Sequence, residues 1–312
     1  MVITVIGHLC LDVIEHPDGT ETEHFGGIYF SVVTLAALLK KSDTIQPVFG
    51  VGKVEYDSLM DRLGAYPNID PAGIYKFNGL TNRVRLTYAT TQQRIECSKH
   101  IAEPIPWKKI RSWASANVIL INMISGFDIS LETLDTLRME TRDDRTPIYF
   151  DVHCLPYGVS NDCTRTPRSV DTWRRWLFML HAVQMNETEL NILPPEPMDE
   201  RSFAKHVLAL NTEVLHVTKG ERGSVMYTSE HKHIKQNDFQ AFDPEKAIDT
   251  TGCGDVFGAA YCAYYLRSKD IVASTRYANR VASLNAQFPG SEGMDKLSIY
   301  RTDEFKETEE NI

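Results

Sequence analysis

Asp249-Thr250-Thr251-Gly252-Cys253-Gly254-Asp255 gathers two glycines, a small thiol and two carboxylates into one short run. Gly252 and Gly254 let the backbone turn tightly and let a ligand approach the main chain. From Asp255 onward, Val256, Phe257, Ala260, Tyr261 and Tyr264 have the spacing of one helical face. A glycine-rich turn that opens a helix aims unpaired N–H groups and the positive end of the helix dipole at one point. Such a point suits a phosphate or a developing phosphoryl charge. A carboxylate there has the chemistry of a general base, so Asp255 is a candidate to take a proton from an attacking hydroxyl. The same residues also read as an ordinary helix start with Asp255 as its cap.

Three further clusters have chemical potential. Asn186-Glu187-Thr188-Glu189 follows an apolar strand-like run and opens a helix. Asn186 and Glu189, three apart, share a helical face and can serve either a hydrated magnesium ion with its phosphates or a capping box. Thr218, Gly220 and Gly223 lie in a strand, glycine turn and strand, which reads as a hairpin. Asn279 and Ser283 sit on the last long helical segment. His8, His153 and His181 have no metal-ligand spacing and read as structural.

Elements must position these groups. Residues 2–6 form an apolar strand, residues 28–39 an apolar helix, residues 47–52 a strand and residues 56–63 a helix. Asp18-Gly19 is a hairpin signal. Residues 74–98 alternate and are rich in β-formers, as a half-exposed antiparallel sheet would be. With residues 11–25 they are expected to form a small lid. From residue 107 strands and helices alternate, with strands at 117–121, 148–152, 182–185 and 214–218. Alternating βα units imply a doubly wound, mostly parallel sheet flanked by helices. Ligands then bind beyond the carboxyl ends of the strands, so polar residues at strand exits are the first candidates for function.

The run from Asp249 to Asp255 resembles the D-T-x-G-A-G-D signature of the ribokinase-like (PfkB) carbohydrate kinases, with Cys253 in place of alanine. Asn186 and Glu189 resemble that family's N-x-x-E, Val217 to Gly223 its V-T-x-G-x-x-G, and Ala278-Asn279 its pair beside the adenine ring. The resemblance implies an α/β ribokinase-like fold, residues 1–312 as a single kinase domain, and a lid from about 11–25 and 74–98. It implies transfer of the γ-phosphoryl group of ATP to a small sugar or related polyol, with Asp255 as base and the amides of Gly252, Cys253 and Gly254 as an anion hole. Mg2+ would lie near Glu189, reached through water. Asp249 with the closing loop 288–293 would hold K+ or another monovalent cation. On the acceptor side Asp12 fits G-x-x-x-x-D, and Gly26 and Gly27 fit the paired glycines. Ser31 stands where asparagine is frequent, and His153 and Leu155 replace the asparagine and arginine of D-x-N-x-R. These departures leave the acceptor open. A nucleoside kinase, with its substrate stacked on Tyr29 or Phe30, and a silent binding protein are the alternatives. Arg83, Arg85 and Arg94 of the lid are read as solvated charges that could also stand in for a basic clamp.

The bulk composition is that of an ordinary globular chain of 312 residues, with no apolar run long enough for a bilayer. A net charge of -9 argues against nucleic acid or anionic membrane as partner. No Walker sequence is present, and the six cysteines form no C-x-x-C pair, as expected for reduced thiols in the cytoplasm. The four tryptophans read as packing residues, residues 304–312 as a frayed end, and the lid's open strand edges invite a homodimer.

Overall fold

The computed structural model describes residues 1–15, 19–88, 94–231 and 233–302; the turn signal at Asp18 and the tail 304–312 lie outside them. In chain order the strands are β1 (Val2–Ile6), β2 (Leu9–Glu15), β3 (Glu21–Gly27), β4 (Thr44–Gly52), β5 (Ile74–Phe77), β6 (Asn82–Tyr88), β7 (Arg94–Lys99) and β8 (Val118–Asn122). They continue as β9 (Ile148–Asp151), β10 (Tyr157–Val159), β11 (Arg165–Pro167), β12 (Ala182–Asn186), β13 (Val214–Thr218), β14 (Ser224–Glu230) and β15 (His233–Phe239). The helices are α1 (Ile28–Leu38), α2 (Tyr56–Leu63), α3 (Trp107–Ile110), α4 (Leu131–Thr141), α5 (Trp173–Trp176), α6 (Glu187–Ile192), α7 (Glu200–Leu208), α8 (Cys253–Ser268) and α9 (Ile271–Asn285).

Nine strands form the main sheet in the order β15-β14-β13-β12-β9-β8-β1-β4-β5. From β5 to β13 neighbours run parallel, and β14 and β15 close one edge antiparallel. The chain builds outward from β1 to β4 and β5, then restarts on the other side at β8. The strand order therefore reverses between β1 and β8, and a crevice opens beyond their carboxyl ends. Every residue of α1 is buried, and so is α8 from Asp255 to Ala263. Both are apolar all round because sheet lies beneath them and they pack on each other, with the turn Met294–Tyr300 on α1 and α9 on α8. Gly258 lets α8 sit low on the sheet, since a Cβ there would be 3.0 Å from the Tyr149 ring.

A second sheet of four strands has the order β3-β2-β6-β7. It differs from the expected lid in two ways. Residues 74–77 were expected in it, but β5 pairs with β4 at the edge of the main sheet, with Ile74 buried. Edge strands alternate as lid strands do, so the pattern could not separate them. The lid is also mixed rather than antiparallel, because β2 pairs with β6 in parallel. β2 continues from β1 and β6 from β5, so strands leaving parallel neighbours at the same end keep a common direction. One lid edge is occupied: Cys97 bridges Thr164, and the Ser98 amide donates to the Cys163 carbonyl at 2.8 Å. Among the described residues no helix is long and apolar enough to cross a membrane.

Candidate active site

The turn before α8 places Gly252 at φ +76°, and a Cβ there would lie 2.4 Å from the Phe30 ring. Conformation and contact both require glycine. The helix begins at Cys253 rather than Asp255, so both glycines and the carboxylate belong to its N-terminal turn. The Cys253 amide donates to the Thr250 carbonyl at 3.2 Å. This bond closes the turn that sets Gly252 and Gly254 at the helix entrance. The Cys253 thiol, pushed up to about 11 by burial, packs on α9 at the Ala282 carbonyl.

Asp255 lies at this entrance, 6% exposed. Its Oδ1 accepts a 2.5 Å hydrogen bond from Asn122 Nδ2 at the end of β8, and His153 Nε2 is 4.0 Å from the same oxygen. Burial raises the Asp255 carboxyl above its ordinary value, while His153 and the Asn122 bond pull it down. Burial also pushes Asp151 well up, against His153. Gln184 ties these parts together: its Nε2 donates to Asp151 Oδ2 at 3.2 Å and to the Gly254 carbonyl at 2.9 Å. Asn122 and Gln184 were not singled out from sequence. Asn122 is a polar residue at a strand exit, the signal that could have found it.

One cavity of about 950 Å3 runs from this turn in two directions. Asn186, Glu189, Thr218, Gly220, Gly223, Asn279 and Ser283 line one end, with Ala241, Phe242, Ala282 and Ala286 as its apolar walls. Asn186 and Glu189 form a complete capping box: the Asn186 amide donates to Glu189 Oε2 at 2.8 Å and the Glu189 amide to Asn186 Oδ1 at 2.9 Å. Burial above all raises the Glu189 carboxyl to about 7. Gly223, at φ +85°, leaves room for the Phe239 carbonyl, which a Cβ would meet at 2.0 Å. The Asn279 amide donates to the Gln240 carbonyl and so holds the 240–242 loop on α9. Asp249 lies outside the cavity lining; its oxygens accept from the Thr251 and Gly290 amides, each at 2.8 Å, which fastens the closing loop. Among the described residues no three His, Cys, Asp or Glu side chains gather as a metal cage.

Cys10, Asp12, Gly27, Val84, Leu86, Glu96, His153, Tyr157 and Arg165 line the other end. Asp12 lies across Gly26, where a Cβ would be 1.9 Å from its carboxylate. Gly26 thus makes room for Asp12 and is not itself in the lining, while Gly27, at φ +60°, turns the chain into α1. Ser31 was expected to face the acceptor. It is 0% exposed, and its hydroxyl donates to the Asp255 backbone carbonyl at 3.4 Å, so it ties α1 to α8. Tyr29 likewise is buried against Phe25. Arg83 and Arg85 pair with Glu23 and Glu21 on the exposed lid face. The arginine that reaches the cavity is Arg165, bound to Ser98 Oγ at 2.9 Å and the Ser125 carbonyl at 2.6 Å.

Residues 159–296 match the model of the pfkB family of carbohydrate kinases. The chain is 38% identical to a ribokinase of Bacillus subtilis over 108 residues, 35% of this chain and 33% of that protein. It thus spans about a third of the ribokinase it matches. A looser match, 23% identical, covers 88% of the chain and 92% of a cytidine kinase of Thermococcus kodakarensis. The fold extends over the whole chain: a ribokinase of Thermotoga maritima superposes with a TM-score of 0.72 at 18% identity, covering 96% of this chain and 98% of that one. An uncharacterised sugar kinase of Pyrococcus horikoshii, solved with ATP, gives 0.71 at 18% identity over 100% of this chain and 99% of that one. The family match thus covers less than half of the chain, and the likeness over its whole length to these solved structures is one of fold. The matched segment includes the glycine-lined end of the cavity and leaves the four-stranded sheet and Asp12 outside it.

Proposed function

We propose that this chain is a carbohydrate kinase of the pfkB type that transfers the γ-phosphoryl group of ATP to a hydroxyl of a small sugar or related polyol. The observation that carries this reading is the place of Asp255, at a helix entrance where one cavity joins its glycine-lined and lid-covered ends. Asp255 takes the acceptor proton, and the Gly252 and Gly254 amides meet the charge on the transferred group. Phosphoryl transfer needs mainly such positioning and charge stabilisation. The apolar slot between Phe242 and Ala286 suits a nucleotide base, in line with the ATP-bound relative. Mg2+ supplies charge neutralisation on the phosphates when bound. Glu189 Oε2 accepts from the Asn186 backbone amide and Oε1 from its side-chain amide, and each oxygen retains a lone pair for a metal-bound water, so the pair fits a hydrated ion. Asp249 keeps similar capacity and is the proposed neighbour of a K+ ion.

A sugar or polyol is favoured over a nucleoside because Tyr29 is buried and the Phe30 ring is packed on Gly252. The test is ADP release from ATP with sugars, polyols and nucleosides as acceptors, and orthophosphate release when pyrophosphate replaces ATP as donor. Turnover with a polyhydroxyl acceptor and ATP is expected. Binding of such compounds without turnover would instead make the chain a silent relative. Pairing of two copies through the open β3 edge is part of the same proposal and is read by sedimentation.

A further inference from the structure

His153 stands in a backbone conformation, φ +39°, that residues other than glycine enter rarely. The turn that holds it is pinned on both sides. The Leu155 amide donates to the Val152 carbonyl at 2.8 Å, and the Cys154 amide to the Met123 carbonyl at 3.0 Å. Gly126 lies so close beneath that a Cβ there would meet the Cys154 carbonyl at 2.3 Å. This fixed turn presents the imidazole to the cavity, where the side chain is 33% exposed. Nδ1 is 3.1 Å from the Cys154 sulfur, and Nε2 faces Asp255 Oδ1 at 4.0 Å.

The surroundings are acidic. Asp151 from β9, Asp255 from α8 and Glu189 from α6 act on the ring, together with Cys154 of its own loop. Burial alone would lower the His153 pKa, but Cys154, Asp255 and Asp151 hold it well above the ordinary value. The other basic group in the described lining, Arg165, is committed to Ser98, Ser125 and Glu96. Asn122 and His153 both address Oδ1 of Asp255, which leaves Oδ2 for a hydroxyl.

We propose that His153 is a positioning residue for Asp255: its imidazolium holds the buried carboxylate ionised and turned toward the acceptor. The proposal rests on the kinase reading of Asp255. An opposite charge at this separation moves a carboxyl by about one pH unit or more. Two measurements test it. In the first, the His153 imidazole is titrated by NMR in the wild type and in Asp255→Asn. The midpoint is expected to fall by about one pH unit in the variant, and an unchanged midpoint overturns the pair. In the second, kcat/KM is followed against pH for His153→Asn and His153→Gln; asparagine tolerates positive φ best among the uncharged choices. The acid limb is expected to move up by about one unit, with roughly tenfold greater loss at pH 6 than at pH 8. Equal loss at every pH overturns the role. The titration needs no turnover, so a wild type inactive on every acceptor fails the kinase reading while the pair still stands or falls on Asp255→Asn.

Discussion

At the glycine-lined end of the cavity the contacts on offer are largely backbone: Gly252 and Gly254 at the entrance of α8, and Gly220 and Gly223 after β13. Their side chains are absent, and the polar side chains among them hold structure, as the Asn186–Glu189 box and the Asn279 tether do. At the lid-covered end the contacts are side chains from separate elements: Asp12 from β2, Glu96 from β7, His153 after β9 and Arg165 from β11. Backbone sites depend on conformations that a few glycines permit, so they are written compactly in sequence. Side-chain sites can change one residue at a time without disturbing the turn that carries them. Under the proposed function, the glycine-lined end would constrain the reaction and the lid-covered end would leave room for different acceptors.

Asp255 joins the two ends, and its loss should have the largest effect. Asp255→Asn is expected to lower kcat by about 10³-fold while nucleotide affinity by calorimetry stays nearly the same. Near-normal turnover would remove the base and with it the junction of the two ends. Gly252→Ala attacks the backbone end, where both φ and the Phe30 ring oppose a methyl group. A fall in kcat of about 10²-fold is expected with a stability loss of about 1–3 kcal/mol, read by steady-state kinetics and denaturant unfolding.

A paired comparison sharpens the contrast. Asp12→Asn should raise the acceptor KM by roughly 10–100-fold and leave the ATP KM unchanged, as expected for a charged hydrogen-bond partner. Asn279→Ala should change the ATP KM by less than about tenfold, because its amide is spent on Gln240 rather than on ligand. The reverse ordering would mean that the nucleotide is held by side chains and the acceptor by backbone. The smallest effect is expected at Ser31. Ser31→Ala should move the acceptor KM by no more than about twofold and cost about 1 kcal/mol in unfolding experiments, since its hydroxyl only ties α1 to α8.

The βα alternation and the glycine turn were legible because their signals are local. The strands at 118–122, 148–151, 182–186 and 214–218 fall within a residue or two of the expected segments. The helix at Cys253 starts two residues early because its first turn is made of the glycines that usually end a helical pattern. Segment 74–77 was misplaced because an edge strand of the main sheet alternates as lid strands do, and only its pairing with β4 separates them. Ser31 was read as an acceptor contact from its position alone, and only the packing of α1 on α8 shows where its hydroxyl goes.

The sequence by itself determined a parallel α/β sheet and a glycine turn followed by a carboxylate. Both follow from spacing within one or two elements. Only the tertiary structure decided which groups surround that carboxylate. Asn122, His153 and Gln184 come from the end of β8, the turn after β9 and the middle of β12, and the reversal of strand order between β1 and β8 opens the crevice they share. Burial then sets the ionisation of Asp151, Asp255 and Glu189, a property of the solvent each group has lost rather than of its neighbours in the chain.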